Sequence, residues 1–295
     1  MTAPALGRGV PPWALAVTAM LSVQLGSALS VHLISEVGPA GTAWLRVTMG
    51  AVLFVAITRP PLRDVRRRDL PLLIGLGLTS GLITVTFLGA LERLPLGTAV
   101  AIEFLGPLSV AALRSHRLRS LAWPVVALAG VSLMTQPWRG EVDAVGLGFA
   151  ALAAVGWGVY IELTQLMGDR FAGLGGLSIT IPIAAVAAAV FGIPQASGHL
   201  TWGILAAAAG LAVLVPVLPF SLELLALRRM THNAFGTLMA LEPGFGVLLG
   251  LVVLHQTPTP SQALGLVLVV AAGVGAQLGG RRDASGDGSQ VGPAG

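Results

Sequence analysis

Apolar residues fill this chain in long runs, and polar residues are confined to short stretches between them. A helix needs about 20 mostly apolar residues to cross the hydrocarbon core of a bilayer. The pattern therefore predicts an all-α integral membrane protein. Its ten transmembrane helices are expected near residues 13–34, 40–58, 70–91, 95–113, 121–137, 145–167, 173–193, 202–222, 234–254 and 260–279.

The composition strengthens this prediction. Of the 295 residues, 55% are hydrophobic and 10% are charged, which leaves too little polar surface to cover a soluble globule. An N-terminal segment at 1–12 and a tail at 280–295 lie outside the helices, and the Gly, Ser and Asp content of the tail predicts disorder. The first apolar run lacks a small-residue cleavage site, so we expect a retained helix rather than a signal peptide.

The placement of arginines predicts the orientation. All 17 basic residues are arginine, and cytoplasmic loops of membrane proteins retain positive charge. One set of alternate loops contains only Arg93 and Arg139. The other set, which includes both termini, contains most of the arginines and is therefore predicted to be cytoplasmic. The arginines of that other set are Arg8, Arg59, Arg63, Arg66, Arg67, Arg68, Arg114, Arg117, Arg119, Arg170, Arg228, Arg229, Arg281 and Arg282.

A short internal repeat relates the two halves of the chain. The segment GTAVAIE at 97–103 shares Gly, Thr, Ala and Glu with GTLMALE at 236–242. The copies lie in the fourth and ninth predicted spans, which cross the membrane in opposite directions because each half has an odd number of spans. We therefore predict two inverted five-helix repeats, 13–137 and 145–279. Inverted repeats are typical of secondary transporters, whose sites lie near the bilayer midplane between the halves.

Each copy of the repeat ends in a glutamate near the middle of its span. A carboxylate at the bilayer centre costs about 2.5–3.5 kcal/mol on insertion scales, so Glu103 and Glu242 need a partner, a water-filled cavity or a function. They are either protonated structural groups bonded to a neighbouring helix or proton-carrying or cation-binding groups. Their equivalent positions favour the second interpretation. Helix-breaking sequences follow both glutamates, at Gly106, Pro107, Pro243 and Gly244.

Further polar and aromatic residues within the spans are candidates for a substrate pathway. Gln24 shares a helix face with Ser27, and Trp157 shares one with Tyr160, because each pair is three residues apart. These pairs line a pathway or make ordinary interhelical contacts. Arg46, in the outer third of its span, either extends towards the outer surface or pairs with a carboxylate. The other glutamates within spans, Glu162 and Glu223, are expected nearer the cytoplasmic surface.

Several kinds of chemistry are excluded or unsupported. Without lysine the chain cannot form a Schiff base with a cofactor, and without cysteine it has no thiolate site. The five histidines show no metal-ligand spacing, and no phosphate-binding loop is present to use ATP. The spans contain neither paired aspartates nor a Ser/His arrangement. We therefore expect no metal, no cofactor, no nucleic-acid partner and no enzymatic activity.

Three segments also carry a family resemblance. LPLGTAVAIEFLGPL at 94–108, LPFSLE at 218–223 and FGTLMALEP at 235–243 resemble the threonine/homoserine exporter branch of the EamA family, in the drug/metabolite transporter superfamily. The resemblance implies ten helices in inverted repeats, an inner-membrane location and proton-linked efflux of threonine, homoserine or similar amino acids. It also implies that three glutamates occupy shared polar positions, namely Glu103, Glu223 and Glu242. Glu162 and Thr84 depart from the family pattern, so the substrate of this protein can differ from that of its relatives.

These features predict an inner-membrane exporter of small neutral amino acids, driven by proton antiport. In this hypothesis the substrate ammonium group meets Glu103 or Glu242, and its carboxylate meets freed backbone amides or Arg46. The sequence does not determine which of the two glutamates binds the ammonium group. The alternative is a drug/metabolite or lipid-linked carrier of the same superfamily, which requires a lateral opening and a head-group site.

Reporter fusions test the predicted orientation. Fusions after residues 66, 117 and 282 should report the cytoplasm, and fusions after residues 140 and 198 the periplasm, because the arginines are concentrated on one side. A periplasmic C-terminus would contradict the ten-span topology.

Overall fold

The computed structural model describes residues 10–58, 63, 65–114, 118–139, 143–167 and 174–281. These residues form helices joined by short connections, and no strand occurs among them. The α-helices are α1 Pro12–Thr58, α2 Leu70–Leu91, α3 Leu96–Glu103, α4 Leu105–Arg114, α5 Ala122–Thr135, α6 Ala144–Met167, α7 Leu174–Ala196, α8 Trp202–Ala212, α9 Leu218–Leu227, α10 His232–Met239, α11 Glu242–Leu254 and α12 Pro260–Arg281.

Helix α1 combines the first two predicted spans. Its 47 residues change direction at Gly38, whose φ of 72° and ψ of 168° are not helical, and Pro39 follows directly. A positive φ of this kind is readily available only to glycine. The amide oxygen of Gln195 accepts a hydrogen bond from the Gly41 N–H at 3.0 Å, next to the change in direction. Side-chain capping therefore supports the backbone where the helix turns.

Three predicted spans are each divided into two helices. The fourth becomes α3 and α4, the eighth becomes α8 and α9 on either side of an irregular turn at Val213–Val217, and the ninth becomes α10 and α11. Eight helical stretches of the described residues are long and apolar enough to cross a bilayer, and α1 counts as one of them. Helix α5 is apolar but shorter, with 14 residues.

Several sequence predictions fall at the limits of the described residues. The N-terminal residues 1–9, with Arg8, lie outside them, as do the loop arginines Arg59, Arg117 and Arg170. Residues 282–295 of the predicted tail also lie outside. The last helix extends to Arg281, slightly beyond the predicted end of the tenth span at 279.

Helix α1 is the centre of the packing. It contacts α2, α7, α8, α9 and α11, while α2 also packs against α6 and α7, α3 against α11, and α5 against α12. The largest apolar core joins residues of α1, α2, α3, α5, α6 and α12, and includes the fully buried Leu88, Leu96 and Val269. The polar positions described below lie within this apolar packing.

Small residues bring α5 and α12 into backbone contact. A Cβ atom on Gly130 would lie 2.6 Å from the carbonyl oxygen of Gly265, and a Cβ atom on Gly265 would lie 2.5 Å from the carbonyl oxygen of Gly130. The contact is reciprocal and leaves no room for a methyl group. Close approach of this kind replaces the hydrophobic driving force that is missing between helices in lipid.

Glutamine side chains satisfy backbone groups at several helix ends. The Gln256 amide oxygen accepts from the Leu96 N–H at 3.0 Å, and the Gln262 amide nitrogen donates to the Met134 carbonyl at 3.2 Å. Gln136 donates to the hydroxyls of Thr259 and Ser261 at 2.6 and 2.5 Å. Backbone groups at helix ends lack partners within their own helix, and lipid supplies none. These amides therefore join neighbouring helices at their ends.

The contact between α5 and α12 can be tested by adding a single methyl group. Gly130→Ala should lower the midpoint of thermal unfolding in detergent, because overpacking of this kind costs about 1–3 kcal/mol. Gly148→Ala in α6 is the matched control, since a Cβ atom there meets nothing within 4 Å. The midpoint of thermal unfolding of the control should equal or exceed that of the wild type, because alanine favours a helix more than glycine does. Equal midpoints for both variants would contradict the packing described here.

Candidate functional site

A cluster of buried polar side chains lies where α1, α3 and α11 meet. Glu103 comes from α3 and Glu242 from α11, and each is less than a tenth exposed. Helix α1 contributes the remaining members, which are Gln24, Ser30 and Arg46, all at most 5% exposed. The structure thus brings together four of the residues singled out in the sequence, with Ser30 as an addition, and Ser27 is buried on α1 between Gln24 and Ser30.

The two glutamates lie at helix ends, although in different ways. Glu103 is the last residue of α3, and the interruption at Phe104 follows it. Glu242 is the first residue of α11, so the interruption at residues 240–241 precedes it rather than following it. A second helix end lies close to each glutamate, because α4 begins two residues after Glu103 and α10 ends three residues before Glu242. The opposite dipoles of the two helix ends therefore offset each other at both positions.

The four predicted breaking residues lie just inside the helices that follow the interruptions. Gly106 and Pro107 are in the first turn of α4, and Pro243 and Gly244 are in the first turn of α11. A proline in the first turn removes an N–H that has no helical partner, so it starts a helix without losing a bond. Gly106 also lets α4 approach α6, because a Cβ atom there would lie 2.1 Å from the Ala154 carbonyl oxygen.

Gln24 connects α1 to Glu242. Its amide nitrogen donates to Oε1 of Glu242 over a long distance of 3.5 Å. The other carboxyl oxygen of Glu242, Oε2, and the amide oxygen of Gln24 are buried and have no hydrogen-bond partner among the described residues. Two acceptors without donors thus remain beside this bond.

Arg46 supplies the positive charge of the cluster. It is 5% exposed, so it does not extend to the surface. Its Nη1 donates to Ser30 Oγ at 3.3 Å, and Ser30 Oγ in turn donates to the Gly26 carbonyl at 2.6 Å. Glu103 lies close enough to interact electrostatically with both Arg46 and Glu242. The cluster therefore places one cation beside two acidic residues.

Glu223 and the aromatic pair of α6 extend the site at one side. Glu223, half-buried on α9, interacts electrostatically with Glu242 and with Tyr160. Trp157 instead lines a neighbouring cavity. The predicted aromatic face of α6 therefore contributes one residue near Glu223 and another to a cavity wall.

Two cavities lie outside the cluster, and no cluster residue lines either of them. One, of about 190 Å³, is near the Arg114 end of the bundle and is lined by α4, α6, α10 and α12, with Phe104, Trp157, Met239 and Gln277 in its walls. The other is a groove of about 540 Å³ between α1 and α8, near the Gly38 end. Its lining includes Leu29, His32, Glu36, Ile204 and Leu214.

The two positions that were predicted to depart from the family pattern, Glu162 and Thr84, lie outside the cluster. Both carboxyl oxygens of Glu162 accept from Arg114, at 2.9 Å from Nε and 2.6 Å from Nη2, and Arg114 also donates to Gln165. Thr84 donates to the Ser80 carbonyl within its own helix. Glu162 thus forms a half-exposed ion pair between α4 and α6 at the bundle end.

The sequence interpretation missed Ser30, although a signal for it exists. Ser30 follows Ser27 by three residues, as Ser27 follows Gln24, so each serine is the helical neighbour of the polar residue before it. Within the described ranges, no group of three or more His, Asp or Glu side chains is arranged to hold a metal ion.

An apolar helical bundle around a buried set of charged and amide side chains defines a polytopic membrane transporter. The EamA-like transporter family matches residues 144–275. The threonine/homoserine exporter RhtA of Salmonella typhimurium strain SL1344 is 35% identical over 287 residues, which cover 95% of this chain and 97% of the relative. The protein of the same name from Escherichia coli K12 is 34% identical, covering 92% of this chain and 94% of the relative.

This chain belongs to the EamA-like transporter family. It is a multi-pass protein of the inner membrane and a transporter rather than an enzyme. A solved protein crystal structure has the same fold, with a TM-score of 0.59 at 22% sequence identity, covering 91% of this chain and 99% of the other.

Proposed function

We propose that this protein exports small neutral amino acids of the threonine and homoserine type, in exchange for protons. The observation that carries the proposal is the buried cluster of Glu103, Glu242, Arg46 and Gln24 within an apolar bundle. Charged groups at this depth are costly and are retained at ion or substrate pathways. The names of the RhtA relatives give the substrate class.

The proposed architecture is ten spans in two inverted repeats, 13–137 and 145–279, with both termini in the cytoplasm. The change in direction at Gly38 divides α1 into two segments, and α5 is the remaining short apolar helix. The contacts of α3 with α11 and of α5 with α12 join spans at equivalent places in the two halves. The reciprocal contact of Gly130 and Gly265 supports the same symmetry.

In the proposed mechanism, the two cavities are the halves of an alternating pathway. Substrate enters from the cytoplasm through the cavity near Arg114 and binds at the cluster with the acidic residues deprotonated. The site then opens towards the groove between α1 and α8, and protonation from the periplasm releases the substrate. Substrate and proton exclude each other because both neutralise the same carboxylates. This exclusion couples export to the proton gradient.

A second candidate is a lipid-linked or other metabolite carrier. The groove between α1 and α8 favours it, because apolar residues such as Leu33 and Leu211 lie beside the exposed polar side chains of His32 and Glu36. This is the arrangement that a lateral opening would require. A competition experiment separates the two candidates. Free amino acids should inhibit transport by an amino acid exporter, whereas lipid head groups should inhibit transport by a lipid-linked carrier.

Transport into inverted membrane vesicles tests export directly. Vesicles with an acidic interior should accumulate labelled L-threonine or L-homoserine, since their interior corresponds to the periplasm. Collapse of the pH gradient should remove the accumulation. Vesicles without the protein provide the background, and equal uptake in the two preparations would contradict amino acid export.

Isosteric replacement tests the coupling residues. Glu103→Gln should reduce uptake driven by the pH gradient to background, because an amide of the same shape does not exchange protons. Glu242→Gln should have the same effect or weaken substrate binding. Glu162→Gln is the matched control, since its ion pair with Arg114 lies outside the cluster. Full proton-driven transport by both cluster variants, with unaltered pH dependence, would make these carboxylates structural.

A further inference from the structure

Three buried polar atoms of the cluster lack hydrogen-bond partners among the described residues. They are Oε1 of Gln24, Oε2 of Glu242 and Nε of Arg46. The three side chains are 1%, 6% and 5% exposed, so bulk water does not satisfy them. A buried polar atom without a partner costs about 1–3 kcal/mol. Native proteins rarely retain such atoms, so each one requires an explanation.

The two acceptors lie on side chains that already contact each other. Gln24 directs its amide nitrogen towards Glu242, which leaves its carbonyl oxygen free for a different donor. Glu242 likewise uses one oxygen and leaves the other. A ligand group that satisfies both acceptors carries at least two hydrogen-bond donors, and a positive charge on it would match the carboxylate of Glu242. A primary ammonium group has this chemistry.

The free donor has the opposite chemistry and comes from the other segment of α1. Arg46 uses Nη1 for Ser30 and leaves Nε without an acceptor. Guanidinium groups bind carboxylates through adjacent N–H donors, and Nε takes part in this geometry. A fourth unpartnered atom, Oγ1 of Thr48, lies two residues beyond Arg46 and therefore on another face of the helix.

We propose that the site is polarised for zwitterions: Gln24 and Glu242 bind the substrate ammonium group, and Arg46 binds the substrate carboxylate. This assignment rests on the proposed function and deepens it, because the sequence left open which glutamate meets the ammonium group. Glu103, which lies near both Arg46 and Glu242, is then the carboxyl between the two poles. Gln24 becomes a specificity-determining residue that selects a free amino group.

The test measures competition with labelled L-threonine for uptake into inverted vesicles. N-acetyl-L-threonine lacks the ammonium group, and L-threoninamide lacks the carboxylate. Both should compete at least about tenfold more weakly than unlabelled L-threonine, since each loses a charged hydrogen-bonding pole. The amide is assayed in buffer acidic enough to keep its amine protonated.

Gln24→Met isolates the ammonium pole, because methionine has a similar length but no strong acceptor. The variant should raise the KM for L-threonine about ten- to hundredfold, the loss expected for a hydrogen bond to a charged group. It should also reduce discrimination against N-acetyl-L-threonine and leave discrimination against L-threoninamide unchanged. Ser22→Ala is the matched control, because Ser22 is also buried on α1 but donates to the Leu214 carbonyl at 2.8 Å. The control should retain the wild-type KM and the wild-type discrimination against both N-acetyl-L-threonine and L-threoninamide.

The outcomes separate this assignment from the proposed function. If the wild type takes up neither L-threonine nor L-homoserine, amino acid export and the assignment both fail. If uptake occurs and N-acetyl-L-threonine competes as well as L-threonine, only the assignment fails. It also fails if Gln24→Met, present in the membrane at wild-type amount, keeps both competition ratios. If Gln24→Met does not accumulate in the membrane, the assignment is tested by the wild-type protein alone, through the competition of N-acetyl-L-threonine and of L-threoninamide with L-threonine.

Discussion

The cost of placing charged groups in an apolar helical bundle shapes this protein. Glu103, Glu242 and Arg46 are almost fully buried, yet the bundle around them consists mainly of alanine, leucine, valine and glycine. Lipid provides no compensating hydrogen bonds, so the polar groups gather at one place and partly satisfy one another. The helix ends at Glu103 and Glu242, together with Gln24, Ser30 and Arg46 of α1, meet at that place.

The sequence predicted much of this arrangement because its signals are local. The length of apolar runs located the helices, and a repeated segment ending in glutamate identified Glu103 and Glu242 as a pair. Gln24 and Ser27 were identified as a shared face by their spacing of three residues. Such inferences depend on residues close together in the chain, where helical geometry is fixed.

The sequence did not predict contacts that depend on how distant helices pack. The bond of Gln24 to Glu242 joins residues that are 218 positions apart, and the choice of Glu242 over Glu103 has no local signal. The position of the interruption before Glu242 also escaped prediction, because Pro243 is compatible with a helix start as well as with a break. The glutamine caps at helix ends were missed for the same reason, since each serves a backbone group on another helix.

The helix ends beside the two glutamates have a consequence for how this region can move. Glu103 is the last residue of α3 and Glu242 is the first residue of α11, so each acidic side chain lies at a junction of two short helices rather than inside one continuous rod. A change of angle at either junction would reorient the carboxyl group without unfolding a helix.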